Sequence, residues 1–408
     1  MLERLPECLL IEILSLLPIK SLFQLKSVNK LCYNIIKSPY FVSKHLKRNN
    51  GRHNNCIIAH FVITQAAELQ PSMVWLDDEV DEDNTINNHM TLQYTPPYNY
   101  NICGPCDGLY YGSCLWMGDD WQWSSAGKRC LWNPTLNQFK TLPPVIIMKP
   151  CMPPSNIEYY HENFGFGLDP VTMDYKVVLI KGYRDSTDDD CISFANYPLS
   201  VLIYSLRNDS WKYVRDLSKS YQLRVNSSYT FVNTSYYWLG SNDYDFPFKY
   251  DVIIVVNLAT EAIEEIGLPE TRLKDSLTRQ SYTECLMVYH STIVLVALYQ
   301  DDDNFDIWTL KERSWSKQLS VKLDCYAKDL LGYHYIPENM VLFGGRHNQL
   351  VLYDLDLKES WVIPVIRNDY CSTVCTYMES LVPLNDQEFW VEWDKHRLNG
   401  TNSYHLTT

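Results

Sequence analysis

The chain has 408 residues, 46% of them hydrophobic, a formal net charge of −14 and 13 cysteines. That length suits one small and one large domain with a sizeable core. The chain lacks an uninterrupted apolar run of about 18 residues and a basic-then-apolar start, which argues against secretion and membrane spanning, and an odd, scattered set of cysteines fits reduced thiols in the cytoplasm or nucleus.

From the amino terminus, Leu5, Leu9, Ile13, Leu16 and Leu17 recur at three- and four-residue steps, and Pro6 and Glu7 suit the first turn of a helix. Pro18 stops that helix. A second is predicted to start near Ser21 and to carry Leu22, Leu25 and Val28; a third carries Leu31, Cys32, Ile35 and Ile36 and breaks at Ser38-Pro39. Such stripes are wider than one neighbouring helix covers, and a unit this short cannot bury them alone, so part of the surface is expected to dock on another subunit or on the rest of the chain. Residues 1–53 hold nine Lys and Arg against Glu3, Glu7 and Glu12, a balance of +6, which leaves −20 for the remainder. A body so acidic suits a basic protein partner better than nucleic acid, whose phosphates need clustered cations.

The charged, Asn-rich stretch 47–55 reads as a linker, after which helical periodicity gives way to short β-branched and aromatic runs bounded by turns. A unit of apolar strand, polar turn and aromatic-ended strand recurs at 130–139, 201–211, 255–263, 306–315 and 351–361, each copy with another apolar strand before it. Spacings of about 45–70 residues predict a kelch-like β-propeller built from two hairpins per blade, with a long β-sandwich as the alternative. The repeated Trp and Tyr residues are assigned to packing between blades rather than to a ligand cage, because repetition points to architecture.

Cys103-Gly104-Pro105-Cys106 has the spacing of a thiol redox site, yet Asp107-Gly108 reads as a turn into a strand, where such a site wants a helix. A redox enzyme using Cys103 and Cys106 is therefore a distant alternative. His53, Cys56, His60, Cys371 and Cys375 lack zinc-site spacing, and Phe164-Gly165-Phe166-Gly167 lacks the third Gly and helix of a phosphate loop. No catalytic residue, metal or cofactor is assigned. Acidic runs at 77–83, at Asp188, Asp189 and Asp190, and at Asp301, Asp302 and Asp303 read as loops that solvate or steer a basic partner, with Tyr244, Phe246 and Phe248 as apolar anchors beside them.

Leu5-Pro6-Glu7, the run from Ile13 to Leu22 and Lys26-Ser27-Val28-Asn29-Lys30 together resemble the F-box. That resemblance implies binding to the small adaptor subunit of a cullin-based ubiquitin ligase through Leu5, Pro6, Ile13, Leu14, Pro18, Leu22, Val28 and Lys30. Cys32 departs from the family, which usually has Trp there. Gly104-Pro105-Cys106-Asp107-Gly108-Leu109, Leu131-Trp132-Asn133-Pro134-Thr135, the stretch 164–170, Asp174-Tyr175-Lys176-Val177-Val178 and Ser210-Trp211 resemble the F-box-associated domain of plant F-box proteins. Met378-Glu379-Ser380-Leu381-Val382-Pro383-Leu384 looks most like the S-locus group, which implies a pollen receptor that marks the basic pistil ribonucleases (S-RNases) of non-self haplotypes for ubiquitination in self-incompatibility. A receptor for a different substrate, in stress or hormone responses, is the alternative. The expected plan is an all-α F-box over 1–46, a linker over 47–55, a mainly β recognition domain over 56–390 and a tail over 391–408.

Overall fold

The computed structural model describes residues 5–49, 56–63, 68–75, 89–91, 101–114, 128–145, 157–185, 198–217, 219, 221–223, 229–241, 251–269, 282–299, 304–323, 329–330, 339–344, 350–363, 370–386 and 388–391. Four helices come first: α1 (Glu7–Leu14), α2 (Ile19–Val28), α3 (Lys30–Lys37) and α4 (Pro39–Asn49). Pro6 and Pro18 flank the starts of α1 and α2 in extended conformations, and Asn29 caps α3 by accepting the Leu31 N–H at 2.7 Å. Ser38-Pro39 is a start as well as a stop. The Ser38 hydroxyl accepts the Phe41 N–H at 3.3 Å, and Pro39 takes the first helical position, where its missing N–H is no loss. The helical unit thus runs on through Asn49, into the stretch that reads as a linker.

Among the described residues six antiparallel sheets follow, in a β-propeller arrangement. The second sheet comprises Asn101–Cys106, Leu109–Cys114, Lys128–Asn133 and Gln138–Thr141; the third comprises Ile157–Asp169, Asp174–Asp185, Ser200–Ser205 and Ser210–Asp216. In the fourth, Gln222–Leu223 and Tyr229–Val232 share the edge of Ser235–Ser241, which leads to Val252–Asn257 and Ile263–Gly267. Tyr282–Tyr289, Thr292–Tyr299, Asn304–Lys311 and Ser314–Lys322 make the fifth; Asp329–Leu330, Met340–Gly344, Leu350–Asp354 and Glu359–Ile363 make the sixth. All five sequence repeats are the outer hairpins of these sheets. The first sheet has no such copy, because Cys56–Ile63 pairs on one side with Glu68–Trp75 and on the other with Tyr370–Thr376, near the far end of the chain.

Three of the five hairpins turn by a shared device. Asn133 accepts the Leu136 N–H at 3.0 Å, Asn257 accepts those of Ala259 and Thr260 at 3.0 and 2.8 Å, and Asp354 accepts those of Asp356 and Leu357 at 2.7 and 2.9 Å. Each turn then closes through a left-handed residue, Asn137, Glu261 or Lys358. Leu258 and Leu355, directly after the capping residue, are buried.

Between sheets the repeated tryptophans bond to backbone. Trp211 Nε1 donates to the Pro143 carbonyl at 2.9 Å, and Trp315 Nε1 to that of Gly267 at 2.9 Å. The Phe164-Gly165-Phe166-Gly167 run has an architectural cause too. A Cβ on Gly165 would lie 2.6 Å from the Tyr236 ring and one on Gly167 2.5 Å from its hydroxyl, so these glycines admit a large ring from the fourth sheet.

Candidate functional site

α1 carries two apolar faces. Leu10 and Leu14 are buried with Ile19, Leu22, Cys32, Ile35 and Ile36 in the chain's own core. On the other side Leu9 and Ile13 are 50% and 47% exposed, with Leu5 before the helix at 38%, Leu16 just after it at 57% and Val28 at the end of α2 at 77%. The step from 9 to 13 keeps that pair on one stripe of α1, which Leu5 and Leu16 flank along the chain. Five aliphatic side chains open to solvent on a unit of this size mark an interaction face. Of the residues that the F-box resemblance implies, Leu5, Pro6, Ile13, Pro18, Val28 and Lys30 are exposed, whereas Leu14 and Leu22 are buried and hold the helices together. Leu9 and Leu16 belong on the exposed stripe, and their signal was the same three- and four-residue periodicity. Cys32 is fully buried in the core rather than displayed on this face.

Charge borders the stripe. Glu12 bonds to Lys44, and Arg48 reaches the same carboxylate at 2.6 Å; the Lys44 bond lowers the Glu12 carboxyl below its ordinary value, desolvation opposes it, and Arg48 adds to the lowering. The two cations come from α4. The fourth helix is thereby bound to the back of α1.

Three motifs that lie far apart in sequence meet under the helices. Asn133 Nδ2 donates to the carbonyls of Ser380 and Val382 at 3.2 and 2.8 Å, and Thr135 Oγ1 accepts the Ser380 N–H at 3.0 Å. The Tyr110 hydroxyl accepts the Met378 N–H at 3.2 Å, and Gln138 Oε1 accepts that of Leu384 at 2.9 Å. Gly108, at φ +73°, sits so close that an added Cβ would lie 2.4 Å from Ser380 Cβ. Asp107, beside it, accepts the Tyr175 hydroxyl at 2.8 Å. These motifs therefore build a seat for the extended segment 378–386, and the seat, not a ligand pocket, is what their residue types serve.

At the end of that segment Asp386 meets Lys37 of α3 at 3.4 Å. The Phe389 N–H holds the Asp386 carboxyl below its ordinary value of 3.8, burial opposes this, and Lys37 lowers it further. A carboxyl depressed on folding contributes stability above its ordinary value and loses it as pH falls through the lowered one. Thermal melts from pH 5 down to pH 2.5 should accordingly lose a stability component below pH 3.8 that an Asp386→Asn variant never has; parallel curves for the two proteins would contradict this.

The Cys103–Cys106 pair lacks the environment of a reactive thiol. Cys103 is 5% exposed and pairs with Tyr111, Cys106 pairs with Leu109 across a bulge, and burial, joined by the Asp107 carboxylate, pushes the Cys106 thiol well up. A nucleophilic cysteine needs the opposite shift. Under native conditions a thiol reagent should label exposed Cys8 well before the buried Cys32, Cys103, Cys130 or Cys285; equal rates would restore the redox alternative. Among the described residues no group of three or more His, Cys, Asp or Glu is placed to hold a metal, and no helix is long and apolar enough to cross a membrane. Asp188, Asp189, Asp190, Tyr244, Phe246, Phe248, Asp301, Asp302, Asp303 and the run at 77–83 lie outside the described residues.

Comparison with known proteins places names on both halves. Residues 59–336 match the family model of the F-box associated beta propeller domain, and residues 2–44 match that of the F-box domain. F-box protein CPR1 of Arabidopsis thaliana is 24% identical over 363 residues, covering 84% of this chain and 80% of that protein. F-box protein At3g49450 of the same plant is 29% identical over 179 residues, covering 43% and 40%. Among solved structures, TolB from Acinetobacter baumannii superposes with a TM-score of 0.44 at 8% identity, over 85% of this chain and 72% of that one.

Proposed function

The chain belongs to the family with the F-box associated beta propeller domain, joined here to an F-box, and from that premise we propose that it is the substrate-recognition subunit of a cullin-based ubiquitin ligase. The observation that carries this reading is the exposed Leu9 and Ile13 of α1 flanked by Leu5 and Leu16, with Val28 exposed at the end of α2, all on the very unit that matches the F-box. The helices hold the adaptor and the propeller holds a protein substrate. The chain itself performs no covalent step: its contribution is proximity, since keeping an acceptor lysine near a ubiquitin thioester raises their effective concentration. Co-expression with a plant adaptor subunit tests the reading, which expects a soluble one-to-one complex.

For the substrate, our narrower proposal is a basic ribonuclease of the pistil, read in pollen during self-incompatibility. Its supports are the motif from Met378 to Leu384 and the charge of −20 carried beyond residue 53. An acidic surface speeds encounter with a cationic partner and does so less as salt screens it. Immobilised chain should hold basic ribonucleases at low salt, and neutralising Asp188, Asp189 and Asp190 to Asn should slow their association about 10-fold or more at low salt. Failure to retain any such ribonuclease would leave a receptor for another protein substrate.

A further inference from the structure

The segment 378–386 touches both halves of the molecule. Its backbone is held by Tyr110, Asn133, Thr135 and Gln138 of the second sheet, and Asn385 Nδ2 adds a bond to the Phe139 carbonyl at 3.1 Å. Leu381, Val382 and Leu384, with Phe389 just beyond, share one buried cluster with Leu10, Leu14, Ile19 and Leu22 of the helices and with Leu109 and Leu131 of the second sheet.

The polar contacts to the helices sit where helices need them. Pro18 offers α2 no side-chain cap, and the Glu379 carboxyl faces the Ile19 N–H there; burial raises that carboxyl above its ordinary value and the Ile19 N–H partly offsets the rise. A free amide and the positive end of α2 are thereby met by a carboxyl group from the far part of the chain. Lys37 of α3 meets Asp386 seven residues further on.

From this bracket we infer that segment 378–386 is a strap that locks the adaptor-binding helices in one orientation on the propeller, with Glu379 as its positioning residue at the start of α2. Domains joined by a small or polar interface move relative to one another by default, and an apolar seam closed by directional bonds at both ends removes that freedom. The lock concerns the folded chain alone; its consequence, a fixed gap between adaptor and bound substrate, rests on the receptor reading above. A strap of this kind makes the distance from substrate to ubiquitin-loaded enzyme a property of the fold.

The full-length chain, with spin labels placed through noncanonical residues at the exposed positions Asn34 and Glu312, reports this directly as a distance distribution. The expected result is one narrow peak for the native protein, which broadens about two-fold or more in Glu379→Ala and in the surface variant Lys37→Glu, and which Glu379→Gln keeps narrow because its amide oxygen still accepts the Ile19 N–H. Lys37→Glu changes a half-exposed side chain and leaves the core intact, so it remains informative if Glu379→Ala fails to fold. A lower melting temperature with an unchanged distance distribution in Glu379→Ala and Lys37→Glu would overturn the inference, since it would make the segment a core element without a positioning role. Adaptor binding measured on the same samples separates the two ideas: native protein that shows the narrow peak but binds no adaptor refutes the receptor reading and leaves the strap standing.

Discussion

Replacing Leu9 and Ile13 together by Asp should abolish adaptor binding at micromolar concentration while leaving the melting curve of the isolated chain unchanged. Both side chains are about half exposed in the free chain, so the substitution removes nothing from its core. In a complex, burying their remaining exposed half contributes roughly 0.8–1.5 kcal/mol each, so the affinity should fall by about 10- to 10²-fold from lost apolar contact, and further once the cost of desolvating two carboxylates is added. Leu14→Asp makes the contrasting case. Leu14 is 2% exposed inside the helical core, and a carboxylate there should unfold the unit, so that loss of binding would come with loss of helicity. If the double variant on the open stripe bound the adaptor as well as the native chain, the stripe would not be the docking face.

The largest effect on stability should come from Gly108→Val. At φ +73° a β-branched residue is strained, and its Cβ would have to occupy a point 2.4 Å from Ser380 Cβ and 2.7 Å from the Met378 carbonyl oxygen. Left-handed backbone costs roughly 1–2 kcal/mol and overpacking about 1–3 kcal/mol, so a total near 2–5 kcal/mol is expected, a large share of a typical domain's stability. Because the atoms displaced belong to the strap, protease cleavage between helices and propeller should appear together with the drop in urea midpoint. Gly165→Ala, which drives a methyl into the ring of Tyr236, should destabilise the seam between the third and fourth sheets instead and leave the strap protected.

How far these features were legible depends on whether their signal was local. The five outer hairpins could be read because their signal is local, and three of them carry the same turn, with Asn133, Asn257 or Asp354 capping free amides and a left-handed residue four positions later. The first sheet could not be read in that way, since Cys56–Ile63 finds a partner in Tyr370–Thr376 and nothing local in either strand announces the other. Helix α4 was hidden by Ser38-Pro39, a dipeptide that ends one helix and starts the next equally well. On the exposed stripe, periodicity marked α1 as apolar on more than one side but could not say which side the chain would cover itself. Leu14 and Leu22 went inward and Leu9 and Leu16 outward, a choice made by α2, α3 and the strap. The motifs around Gly108, Asn133 and Glu379 were plain in the sequence. Their joint purpose needed three dimensions, because it lies in contacts between residues more than two hundred positions apart, as between Asn133 and Val382.

An F-box fixed on a propeller would let this chain join an adaptor to a cargo. Light scattering of the purified full-length chain, mixed with the adaptor bound to the amino-terminal part of the cullin, should show a single species with one copy of each subunit, lost on Leu9→Asp with Ile13→Asp and kept on Cys103→Ser. A folded native chain that elutes apart from the adaptor at micromolar concentration would contradict it.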